Sequence, residues 1–204
     1  LLLQAAHPAA LAGVSEHSRY QEDPLGRLAG TTKWLTITSF GAKEFIEKEA
    51  ARVNAMHSKV TGSYIGKDGA IYEYAAKAEE YLLWVHCAFT DAFLKSYVHL
   101  GYKFKTSADQ YVMEWAKSAE PLGLENAPRS VAELEARLEE FRANSLYANE
   151  TTLNVVKFIM KPPFSKLGMI PFSIFANAAV ATMDIRDVEM LGLKPRGKIW
   201  LKAA

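Results

Sequence analysis

Apolar residues in this chain recur at three- and four-residue intervals almost from end to end. The pattern breaks into a different one only over TGSYIGKDGAIYEY, residues 61–74, which carries three glycines and the pair Asp68-Gly69 between short β-prone runs. Helical spacing of this kind predicts amphipathic helices, whereas one glycine-rich interruption predicts a hairpin or ordered loop rather than a sheet. The chain therefore reads as all-α with a short β-like insertion near 61–74.

The helices can be followed one by one. Residues 1–20 read as a helix through Leu3, His7, Leu11 and Val14, and 23–40 as a second whose Thr-rich end has some strand character. Residues 42–60 place Phe45, Ile46, Val53, Met56, His57 and Val60 on one stripe. A longer helix is expected from about Ala76 to Leu100, stopping at Gly101. Ser107 with Gln110 and Ser130 with Glu133 fit capping boxes that open helices near 107–120 and 130–144. A helix near 151–161 ends at Pro162-Pro163, and 165–183 and 184–191 complete the series. No repeat or linker divides the chain, so residues 1–192 read as a single domain and 193–204, LKPRGKIWLK with its flanks, as a basic solvated tail.

Composition narrows the classes of function. With 204 residues, half of them hydrophobic, there is enough apolar surface for a substantial core. A net charge of +1 gives no support to nucleic-acid binding. A lone cysteine, Cys87, excludes an internal disulfide and a cysteine-built zinc or iron–sulfur site, and suits a reducing, cytoplasmic compartment. The uncharged run LGMIPFSIFANAAVATM (167–183) is slightly short for a bilayer span and carries Pro171, Ser173 and Asn177. It reads as a buried core helix, with peripheral membrane contact as the weaker alternative. The first residues lack a signal peptide's basic start, and the abrupt apolar beginning suggests further sequence upstream.

No HExxH, CxxCH, P-loop, GxGxxG before a helix or GxSxG occurs. Attention falls on the histidines of apolar helices. In EEYLLWVHCAFTDAF (79–93), His86 shares a helical face with Leu82, Leu83, Phe89, Thr90 and Phe93. An apolar wall with one neutral imidazole suits the face of a porphyrin, with the imidazole on the iron. A core histidine satisfied by local hydrogen bonds fits the same pattern. On the preceding helix, Arg52 could pair with a carboxylate at a pocket rim or with Glu49 three residues earlier. His57 lies on the apolar stripe, Met56 one residue before it. His17 and Arg19, in EHSR, form a further basic group at the end of the first helix, and Cys87 reads as a buried small hydrophobe.

The blocks LLLQAAHPAALAGVSEHSRYQEDPLGRL, RVNAMHSKVTG, YLLWVHCAFTDAF and MKPPF, in this order and spacing, resemble the MpaB-type oxygenase family, which includes the rubber oxygenases called latex clearing proteins. The resemblance runs over roughly residues 1–192. It implies an all-α domain with a globin-like haem-binding core, a non-covalent haem b, and oxidative cleavage of isoprenoid carbon–carbon double bonds with dioxygen. It puts the family's axial histidine on His86, the sole metal ligand, and its pocket arginine on Arg52. Catalytic roles are then expected at Arg52 and His57. Haem contacts are expected from His86, Arg52, Leu82, Leu83, Phe89, Phe93 and Met56, with His17 and Arg19 as outlying candidates. Rubber oxygenases carry a lysine and a threonine where this chain has Ala55 and Met56, and an upstream glutamate that KWLTITSF lacks. The expected function is a haem-dependent oxygenase acting with dioxygen on a hydrophobic small molecule. The rival is a non-catalytic carrier of haem or another lipophile, and the blandest alternative is a helical domain without cofactor.

Overall fold

The computed structural model describes residues 1–204. Its helices are α1 (Pro8–His17), α2 (Pro24–Phe40), α3 (Lys43–His57), α4 (Glu79–His99), α5 (Ala108–Ala116), α6 (Val131–Asn144), α7 (Glu150–Met160), α8 (Lys166–Thr182), α9 (Ile185–Met190) and α10 (Ile199–Ala203). Short 3-10 turns at Leu3–Ala6 and Glu120–Leu122 precede α1 and follow α5. Between α3 and α4, β1 (Thr61–Ile65) and β2 (Ile71–Ala75) form an antiparallel hairpin, Thr61 opposite Ala75 and Ile65 opposite Ile71. The fold is all-α with this one insertion, as the periodicity predicts.

Local chemistry explains each boundary. The expected helix over 1–20 splits at His7, whose backbone is extended (φ −91°, ψ 116°), because Pro8 disfavours a helical residue before it and itself starts α1. Asp23 caps α2 by accepting from the Gly26 amide at 2.9 Å. The Thr-rich end of α2 stays helical, with the Thr38 hydroxyl donating back to the Trp34 carbonyl at 2.9 Å. Ser107 and Ser130 cap α5 and α6 as expected, but only half of each box forms. The Gln110 side chain donates to Glu114, and Glu133 accepts from the Arg129 amide. The complete box is at Asn149 and Thr152, opening α7. The hairpin turns through Gly69 at φ 82°, where a side chain would be strained, and Asp68 accepts from the Ala70 amide and the Tyr72 hydroxyl.

α4 is the central element. Trp84 and Cys87 are fully buried, and Leu83, Ala88 and Leu94 join them in one cluster. Val112 and Ala116 of α5, Leu134, Leu138 and Phe141 of α6, and Val188 of α9 close it from the other side. Burying a side chain of this size contributes about 1.5–3 kcal/mol. Cys87 behaves as the expected small hydrophobe, and burial pushes its thiol up to about 12. On the far side, Arg142 of α6 grips buried Asp187 of α9 through two hydrogen bonds, 2.9 and 2.7 Å.

Two expectations about the C-terminal part change. α8 is not a buried core helix throughout: Ala178, Val180 and Thr182 are buried, while Leu167, Ile170 and Phe175 are exposed. Only its C-terminal half reaches the core. The tail does not end as a simple solvated extension either, because α10 forms and packs against α8. No helix is long and apolar enough to cross a membrane.

Candidate functional site

α1, α2, α3 and α4 surround a cavity of about 440 Å³, lined also by Trp115, Ser118 and Ala119 and by Tyr74 of the hairpin. That volume falls within the range of small-molecule sites, and the lining is mainly apolar. The contributing positions follow helical spacing. α1 gives Ala9, Gly13 and His17; α2 gives Gly26, Arg27, Gly30, Thr31, Trp34 and Leu35; α3 gives Arg52, Val53, Met56 and His57. α4 gives Tyr81, Leu82, Val85, His86 and Phe89.

The two faces of α4 are set by rotation. At about 100° per residue, Leu82, Val85, His86 and Phe89 cover one arc, and Leu83, Trp84, Cys87 and Ala88 cover the other. Leu83 is therefore a core residue and does not line the cavity beside His86, contrary to the expectation. Phe93 shares the angular face of His86 but lies about 10 Å further along the axis, at 1.5 Å per residue. It does not line the cavity; instead it stacks on Phe89 at 5.7 Å and meets Trp115 edge-on.

His86 is buried, and its Nε2 has no protein partner. Burial pulls its pKa down to about 4, so the ring is neutral at pH 7 and retains a lone pair. Its own carbonyl accepts from the Thr90 hydroxyl at 2.7 Å, a helix-internal bond that leaves the ring free. Three further unpartnered polar atoms belong to residues lining the same cavity: Ser18 Oγ, His57 Nδ1 and Trp115 Nε1. Buried polar atoms are usually paired, so a concentration of exceptions around one cavity marks a site built for an occupant. Burial foremost, and Lys77 second, lowers the pKa of His57.

Arg52 and His57 both line the cavity, despite pointing in different directions on an ideal helix. Arg52 also makes the pairing with Glu49: its Nε and Nη2 donate to Oε1 at 2.9 and 2.6 Å. Glu49 Oε2 accepts from Lys33 of α2 at 2.7 Å, and these bonds bring its carboxyl down to about 2. Glu49 thus joins α2 to α3 beneath the cavity rim, with its side chain only 5% exposed. Met56 lines the cavity but is half exposed. His17 lines it too, with Nε2 donating to the Thr61 carbonyl at 3.0 Å. Arg19 does not take part: it lies in the extended segment after α1, exposed, 3.4 Å from Glu22.

Several site residues went unnoticed in the sequence. Arg27, Trp34, Leu35 and Trp115 line the cavity, and Lys33 and Glu49 hold its rim. Glu49 is the exception, since its i,i+3 spacing marks it in the sequence as a partner for Arg52. Arg27 and Trp34 recur with Gly30 on one helical face, but nothing local told which face looks inward.

No cluster of three or more histidine, cysteine or acidic side chains is arranged to hold a metal ion. A metal on His86 would therefore need its other ligands from a bound group. Among known proteins, the sequence matches the family described as ER-bound oxygenase mpaB/B'/Rubber oxygenase, catalytic domain, over residues 1–203. No curated protein and no solved structure matches the chain. An all-α domain around an apolar cavity, matched across nearly its whole length, belongs to the mpaB/rubber oxygenase catalytic-domain family.

Proposed function

We propose that this domain is a haem b-dependent oxygenase that acts with dioxygen on a hydrophobic, isoprenoid-like small molecule. The observation that carries the proposal is His86: a buried, neutral imidazole with an unpartnered Nε2, on the cavity-lining face of α4, in a chain of an oxygenase family. That donor fits the iron of a haem. Leu82, Val85 and Phe89 would pack beside the macrocycle as a dry wall. Haem, when bound, supplies the binding and activation of dioxygen.

The chain's own residues would do the rest. Arg52, with Nε and Nη2 occupied by Glu49, keeps Nη1 for a carboxylate at the cavity rim. His57, with Nδ1 unpartnered, can donate or accept one hydrogen bond to a cavity occupant. Trp34, Leu35 and Met56 would exclude water from an apolar substrate.

A carrier without catalysis is the second reading, and one observation favours it. No carboxylate lines the cavity, and Ala55-Met56 follow Arg52, so the candidates for proton transfer are the lining histidines and the phenols of Tyr74 and Tyr81, whose pKa values burial raises. The visible spectrum of purified protein titrated with haem tests both. A Soret band that saturates at one equivalent in wild type, and is lost or strongly shifted in His86→Ala, is expected. Identical spectra for the two proteins would refute haem ligation by His86. Dioxygen consumption with an apolar alkene under reducing conditions then separates oxygenase from carrier, and a haem-loaded protein that consumes none is a carrier.

A further inference from the structure

Two arginines line the cavity, and their surroundings differ. Arg52 is satisfied by Glu49, which raises its pKa. Arg27 of α2 is half buried and has no carboxylate within ion-pair distance and no side-chain hydrogen bond. Arg19, Arg52, Arg129, Arg137, Arg142 and Arg186 each sit on an acidic side chain. The other arginine without one, Arg196, is on the exposed tail and is solvated by water.

A guanidinium held half out of water beside apolar groups, with no counter-charge, is unfavourable. Burial accordingly pulls the pKa of Arg27 below the usual arginine value, the opposite of what its paired counterparts show. The cavity lining contains no aspartate or glutamate, and Glu49 at its rim is outweighed by Lys33 and Arg52 together. The space is apolar in bulk and positive in net charge. The adjoining α1–α2 segment adds a second unpartnered donor, the Ser18 hydroxyl.

We propose that the cavity takes a largely apolar molecule that carries a carboxylate, and that Arg27 holds that carboxylate. This deepens the reading above, since the carboxylate belongs to a haem propionate or to an acidic lipid-like substrate. A guanidinium binds a carboxylate through two parallel hydrogen bonds, a geometry an ester cannot reproduce with the same charge.

The test compares acids with their esters. Wild type, Arg27→Met, Arg27→Lys and the tail control Arg196→Met are titrated with protohaem and with its dimethyl ester, following the Soret band. The same proteins, loaded with the neutral dye Nile red, are challenged with oleate and with methyl oleate. Arg27→Met is close to isosteric, and circular dichroism checks that it folds. The expected result is a loss of about ten- to a hundred-fold in affinity for one acid with its ester unaffected, from a charge-assisted bond worth about 1.5–3 kcal/mol. Arg27→Lys keeps part of the affinity, and Arg196→Met keeps all of it.

Loss confined to protohaem assigns Arg27 to a propionate, and loss confined to oleate assigns it to the substrate. Equal losses for acid and ester, or none, overturn the proposal, as does a wild type that binds neither series. The two readings can fail separately. A protein that binds oleate through Arg27 yet gives no His86-dependent Soret band retains this inference and loses the haem.

Discussion

The two faces of α4 carry residues of similar character and treat them differently. On the core face, Trp84 packs against Phe141 and the ring of His7, all three of them buried. On the cavity face, His86 stands between Leu82 and Phe89, which are only part buried. His7 and His86 are both buried, both lack a bonded partner at Nε2, and both are lowered by burial to about 4. His7 lies 3.8 Å from Glu80, too far for a hydrogen bond, and is wedged among Tyr81, Trp84 and Phe141. Burial makes both imidazoles neutral; only a cavity in front of one makes it a site.

The largest effect should come from the packed face. Trp84→Ala is expected to cost about 3–5 kcal/mol, while Phe89→Ala on the cavity face should cost about 1 kcal/mol. Calorimetry giving equal losses would erase the distinction between the faces. The next effect is acid sensitivity. A buried histidine at about 4, against about 6.5 when unfolded, protonates first in the unfolded chain. Stability therefore falls as the pH drops from about 6.5 to 4, by up to about 1.4 kcal/mol per pH unit for each such group. In the haem-free protein, His7→Phe and His86→Phe should each flatten that slope; once haem is added, only His86→Phe should alter the Soret band. A His7 variant that alters the band would show that the two rings are not distinct in role.

The smallest effect is at Gly30, where an added Cβ meets no atom within 4 Å although the residue lines the cavity. Gly30→Ala should raise stability by about 0.5–1 kcal/mol through helix propensity alone. Gly30→Leu should fold as well and weaken cavity ligands at least ten-fold, measured by Nile red displacement. If Gly30→Leu leaves binding intact, α2 does not border the occupied space.

How much of this was legible follows from what is local. Caps, the Asp68-Gly69 turn and the length of α4 depend on neighbouring residues, and they emerge from the sequence with small shifts. His86 stood out because its own helix surrounds it with apolar residues. Leu83 and Phe93 were misassigned because a shared face does not say where along the axis a cavity begins. Lys33 and Trp115 meet the site from separate helices, so no spacing reveals them. The uncharged run in α8 gives no sign of direction, and Leu167, Ile170 and Phe175 face outward.

α2 has no buried residue, although its inner face borders the cavity for much of its length. Its attachment rests on the Glu49–Lys33 bond and light packing on α3 rather than on a core. Local opening needs least free energy where least apolar surface is held. Backbone amides of α2 should therefore exchange with deuterium well before those of α4, and a ligand in the cavity should slow α2 first. On the timescale of exchange, the wall that carries Arg27 should be the first to open.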